Sequence, residues 1–135
     1  MKRILPFILA AILLLTGCAT GTSNSPDPIR EITYTQISQE EAKSMMDTQD
    51  VIILDVREQD EFDAGHIVDA VLLPVGTIDE STAAEVIPAK DSVVLVYCRS
   101  GNRSKTASQK LVDLGYTEVY EFGGINTWPY DIVVN

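Results

Sequence analysis

Apolar and polar positions along this chain follow two periods, and the changes of period mark the elements. Residues 32–37 alternate loosely and predict a first strand. Ser38, followed by Glu41 three residues later, has the form of a capping box, so a helix is expected to run on to about Thr48. Residues 51–54, Val-Ile-Ile-Leu, are a continuous apolar run, the pattern of a strand covered on both faces. Residues 58–64 predict a short helix stopped at Gly65, and 70–73 a third strand ending at Pro74. Residues 79–86 are helix-like, and 92–97 form the strongest buried strand. Residues 104–114 carry Ala107, Leu111 and Leu114 on one helical face, with Gly115 as terminator. Residues 118–122 are the last clear strand. Strand and helix alternate throughout. This predicts an α/β fold with a central, mainly parallel five-stranded sheet and helices on both faces. In such sheets ligands bind at the carboxyl ends of the strands, so the segments that follow the apolar runs carry the functional information.

The beginning of the chain reads differently. Lys2 and Arg3 precede an unbroken apolar run over residues 4–15. A membrane-spanning helix needs about 20 apolar residues; this run has the length of a secretory signal core. It ends Leu15-Thr16-Gly17-Cys18, which resembles a bacterial lipobox. The resemblance implies cleavage before Cys18, a lipid thioether on that cysteine, and an extracytoplasmic protein anchored to a bacterial membrane. Residues 1–17 are then a lipoprotein signal peptide. Residues 18–31 are the lipidated cysteine and a small, polar, Pro-containing tether, and residues 32–135 form the folded domain. Two or more acyl chains anchor stably where one does not.

Composition narrows the function. The 135 residues suit one domain. Twenty acids against 10 bases give a net charge of -10, which excludes nucleic acid as an expected partner, because phosphate contacts need a surplus of Lys and Arg. Removal of residues 1–17 takes away Lys2 and Arg3 and no acid, leaving 8 bases against 20 acids. An anionic membrane surface would not attract such a chain, so attachment rests on the lipid. Two cysteines and one histidine leave no expected metal site.

Against this acidic background one segment stands out. Residues 93–97 run straight into Cys98-Arg99-Ser100-Gly101-Asn102-Arg103-Ser104, and a helix begins at once. No acid lies between Asp91 and Asp113, whereas Arg99, Arg103, Lys105 and Lys110 do. A short loop between a strand end and a helix start can turn several N–H groups inward as an anion cradle, and the helix N-terminus adds partial positive charge. Gly101 permits the positive φ such a loop needs. A cysteine there is expected to favour thiolate over thiol, beside a cationic patch that attracts a small anion.

Residues 98–104 resemble the active loop of the rhodanese (sulfurtransferase) domains. Further pieces match in order. Leu54-Asp55-Val56-Arg57 with Glu61-Phe62 resembles the family's "DVR…EF" segment, and Gly65-His66-Ile67 with Ala70 and Pro74 its "GHI…A…P" segment. Gly115-Tyr116, Val119-Tyr120, Gly123-Gly124-Ile125 and Trp128 resemble its closing segment. The resemblance covers about residues 37–130 and departs at Val68-Asp69, where the family often has Pro-Gly. It implies a three-layer α/β/α rhodanese-like domain that moves a sulfane sulfur through a Cys98 persulfide. The donor is thiosulfate or a persulfide and the acceptor a thiol or cyanide. Arg99, Ser100, Gly101, Asn102, Arg103 and Ser104 then bind the anionic donor, with Arg99 and Arg103 supplying charge. No metal or organic cofactor is implied. Asp55 and Arg57, at a strand end, are expected to form an orienting or structural ion pair. His66 is expected to be a turn residue rather than a base, Trp128 to pack under the sheet, and Asp60, Glu61 and Asp63 to form a solvated helix face. Two alternatives stay open. Cysteine phosphatases and arsenate reductases use the same kind of loop, although they typically place five residues between Cys and Arg where this chain places four. A non-enzymatic persulfide carrier or sensor would need Cys98 equally.

Overall fold

The computed structural model describes residues 33–135; the signal peptide, Cys18 and the tether expected over residues 1–31 lie outside the described residues. The elements are β1 (Thr35–Gln36), α1 (Gln39–Thr48), β2 (Ile52–Asp55), α2 (Gln59–Ala64), β3 (His66–Ile67), β4 (Val71–Leu72), α3 (Glu80–Val86), β5 (Val94–Cys98), α4 (Asn102–Asp113), β6 (Val119–Gly124) and β7 (Ile132–Val133). Five strands form one sheet in the order β1-β6-β5-β2-β4, and every pairing is parallel. The α/β class and the five-stranded parallel sheet are thus as the sequence predicts. The antiparallel pair β3–β7 was not predicted. Each of its strands has two residues, too few to show a period.

Local chemistry explains the boundaries. Ser38 caps α1 by accepting from the Glu41 N–H, and the Glu41 carboxylate accepts from the Ser38 N–H. At the end of α4, the Gly115 N–H donates to the Val112 carbonyl and the Tyr116 N–H to the Leu111 carbonyl, a Schellman motif made possible by Gly115 at φ +94°. The family's Pro-Gly position holds Asp69 at φ +64°, inside a turn closed by the Ala70 N–H and the Ile67 carbonyl. Asp is one of the few residues that accept this conformation.

β5 organises the core. All five of its residues are buried. Val94, Val96 and Cys98 face a cluster with Ala107 and Leu111 of α4 and Ala83 of α3. Leu95 and Tyr97 face the opposite cluster with Ala42 of α1, Ile67 and Phe122. The sheet is therefore covered on both faces, giving three layers. Each fully buried Val or Leu contributes about 1.5–3 kcal/mol relative to exposure, so β5 fixes the position of whatever follows it.

The ends of β2 and β5 are tied by a buried polar cluster. The Asp55 carboxylate, fully buried, takes both Nε and Nη2 of Arg57 at 2.7–3.1 Å. The Tyr97 hydroxyl donates to Asp55 at 2.6 Å and accepts from the Ile67 N–H at 3.1 Å. Arg57 Nη2 also donates to the Gly65 carbonyl at 2.7 Å. Burial first, and then the Asp55 hydrogen bond, push the Tyr97 phenol up, so it remains a neutral donor. Removing one partner of a buried ion pair strands the other. Asp55→Ala is therefore expected to lose about 3–5 kcal/mol in urea unfolding, and a loss below about 1 kcal/mol would contradict this account of the cluster.

Candidate active site

Cys98 ends β5 and is 1% exposed. The chain then turns through exposed Arg99 and Ser100 to Gly101, which caps α4 at φ +108°. That conformation aims the Gly101 N–H at Cys98 Sγ, 3.0 Å away. Ser104, one turn into α4 and fully buried, places Oγ 3.4 Å from the same sulfur. Burial pushes the Cys98 thiol up. The Ser104 hydroxyl and the N–H groups of Ser104, Gly101 and Ser100 outweigh it, and the thiol lies below its ordinary value. The loop is thus an N–H cradle closed on one sulfur, with the N-terminus of a 12-residue helix behind it.

β6 forms the rear wall. The register of β5 against β6 shifts between Val96 and Cys98, so that Cys98 lies beside Gly124. A Cβ on Gly124 would stand 2.0 Å from the Arg99 carbonyl oxygen, so only glycine lets the loop lie here. The Asn126 N–H donates to that same carbonyl at 3.2 Å. Glu121, 3% exposed, also stands behind the cysteine. Its Oε1 is 2.6 Å from Ser104 Oγ and 2.8 Å from the Gly123 N–H, and its Oε2 is 3.3 Å from Gln36 Nε2.

Arg103, expected to help hold the anionic donor, has a carboxylate partner within the chain. Its guanidinium makes a two-point pair with Glu61, at 2.7 and 2.8 Å. Glu61 is accordingly not part of a merely solvated face: it ties α2 to the cysteine loop, and Arg103 holds its carboxyl down at about 2. Arg99 and Ser100 are exposed at the mouth, as is Asn102 at the start of α4. Asp55 and Arg57 form the buried pair described above, away from the sulfur. His66 bonds through Nδ1 to the Phe62 carbonyl at 3.0 Å and stacks on Phe62 at 3.8 Å, so its partners are in α2 and not at Cys98. Trp128 packs on Phe122 and Tyr130 and lines a separate groove of about 520 Å³ with Lys43, Ile53 and Ile67. Sequence reasoning missed Glu121 and the steric role of Gly124. Glu121 was readable in principle, since it lies in phase with buried Val119 on a two-residue period.

Comparison with known proteins agrees with this geometry. The family described as rhodanese-like domain matches residues 38–129. A thiosulfate sulfurtransferase of Coxiella burnetii is 40% identical over 97 residues, covering 70% of this chain and 87% of that protein. A sulfurtransferase of Allochromatium vinosum is 40% identical over 101 residues, covering 74% and 88%. Among solved structures, an Escherichia coli rhodanese with anions superposes with a TM-score of 0.59 at 28% identity, over 64% of this chain and all of that one.

Two outcomes follow from the loop's supports. Gly124→Ala is expected to cost about 1–3 kcal/mol or more, as overpacking does, and to raise the pH at which Cys98 is alkylated; an unchanged alkylation profile would refute the steric account. The Glu61–Arg103 pair contributes stability above the ordinary carboxyl value of 4.5, lost as pH falls from there towards about 2. Thermal scans across that window should show less pH dependence in Arg103→Ala than in the wild type.

Proposed function

This chain belongs to the rhodanese-like domain family, and from that premise we propose that it works as a rhodanese-type sulfurtransferase through a persulfide on Cys98. The observation that carries the reading is the closure of the N–H cradle on a single buried sulfur. The Cys98 thiolate attacks the outer sulfur of thiosulfate. The new bond joins the two sulfurs, the thiosulfate S–S bond breaks, and its electron pair leaves on sulfite. Cys98 then carries an anionic terminal sulfur that the same loop donors stabilise. A thiolate or cyanide attacks that sulfur and restores the Cys98 thiolate, a double displacement. Arg99, exposed at the loop mouth, meets the anionic donor. Arg103, committed to Glu61, holds the loop in place and lends its charge at longer range. Four residues separate Cys98 from Arg103, and the names of the relatives favour sulfur over phosphate chemistry. The residues 15–18 pattern supports Cys18 as a lipid anchor, with the domain on the extracytoplasmic side of a bacterial membrane.

Cys98→Ser removes the only atom in the loop able to hold a sulfane sulfur while leaving its size nearly unchanged. Thiosulfate:cyanide turnover is expected to fall to background in this variant, with the circular dichroism spectrum unaltered. Turnover near the wild-type rate in Cys98→Ser, or efficient aryl phosphate hydrolysis by the wild type, would overturn the reading.

A further inference from the structure

Glu121 is a buried carboxylate with no role in the chemistry described so far. Buried acids normally carry a cationic partner. Among the described residues the salt bridges are Lys43–Asp47, Asp55–Arg57 and Glu61–Arg103, and none includes Glu121. The groups that face it are neutral: Gln36 from β1, the Gly123 N–H from β6 and the Ser104 hydroxyl from α4. The other titratable group on this network is Cys98 of β5, one serine away. Both acids lie on the α4 face of the sheet. The alternation of β6 sends Tyr120 and Phe122 to the opposite cluster and turns Glu121, like Val119, towards α4.

Ser104 Oγ stands between the two acids, 3.4 Å from Cys98 Sγ and 2.6 Å from Glu121 Oε1. The Gly101 carbonyl at 2.9 Å and the Gly123 carbonyl at 3.4 Å also face this oxygen. One hydroxyl proton cannot serve all of these acceptors. The shortest contact goes to Glu121, and the hydroxyl lone pairs are then free to accept from the thiol. The chain S–H, Oγ–H, Oε1 is therefore a complete proton path from nucleophile to carboxylate.

We propose that Glu121 is a positioning residue that shares one proton with Cys98 through the Ser104 hydroxyl. In one form Cys98 is a thiol and Glu121 a carboxylate. In the other the Cys98 proton has passed to Ser104 and the Ser104 proton to Glu121; Cys98 is then a thiolate receiving the Ser104 hydrogen bond, and Glu121 a neutral acid donating to Ser104. The pair carries one negative charge in either form. Two adjacent buried anions, with no cation to separate them, are avoided. The proton lost by the nucleophile stays inside the site, ready for return after the sulfur departs.

This inference rests on Cys98 being the reacting thiol, but its test uses no sulfur donor. A failure to take sulfur from thiosulfate counts against the sulfurtransferase reading alone. The experiment is the rate of Cys98 alkylation by iodoacetamide against pH, in wild type and Glu121→Gln. Coupled acids titrate as a pair. The wild type should show a rise, a plateau and a second rise, and Glu121→Gln a single step. A single step in the wild type, or two steps persisting in Glu121→Gln, overturns the proposal. Ultraviolet and infrared spectra of the wild type decide the matter if the variant does not fold. At neutral pH the ultraviolet absorbance of the thiolate should be accompanied by the infrared band of a protonated carboxyl, and alkylation of Cys98 should remove both. Thiolate without that band, or no thiolate, overturns the proposal.

Discussion

A cysteine sulfur at the end of a fully buried strand, surrounded by donors that favour its anion, is the constraint from which the rest of this structure follows. Burial opposes the charge, and water is not there to offset it. The protein must supply fixed donors, and it does so by turning the chain sharply after β5 so that backbone N–H groups and the start of α4 converge on Sγ. A thiol placed elsewhere on the sheet would be buried and inert. The strand order puts β5 at the centre of the sheet, where its position is over-determined by packing on both faces.

The surrounding polar contacts hold that turn from different sides. Gly124 on β6 lets the Arg99 carbonyl approach closer than any side chain would allow. The Glu61–Arg103 pair joins α2 to the first turn of α4. Asp55, Arg57 and Tyr97 lock the neighbouring strand ends on the other face. Three separate elements thus fix one short loop. Donors so fixed need no rearrangement in the proposed transfer, where charge would move from the cysteine sulfur to an outer sulfur, and this is the condition for electrostatic stabilisation of a transferring group.

The sequence made much of this legible, and the limits have physical causes. Apolar runs at 51–54 and 92–97 announce buried parallel strands because such strands need no polar face. The capping box at Ser38 and the terminator at Gly115 stand out because orphan backbone groups demand particular side chains. Cys98 and Gly101 were readable because their chemistry is local to one turn. The Glu61–Arg103 pair is not legible, because it joins residues 42 positions apart and no local pattern encodes such a pairing. Glu61 looked like a solvated acid for the same reason. Glu121 was hidden inside a segment read for its apolar members, and β3 and β7 were too short to show a period.

The claim that all of this serves sulfur on Cys98 can be tested directly by mass. The protein is incubated with thiosulfate, its intact mass is recorded, and the peptide bearing the modification is located. The account predicts one added sulfur atom, on the peptide containing Cys98, removed again by cyanide or a small thiol. An unchanged mass, or a sulfur carried on any other residue, would contradict it.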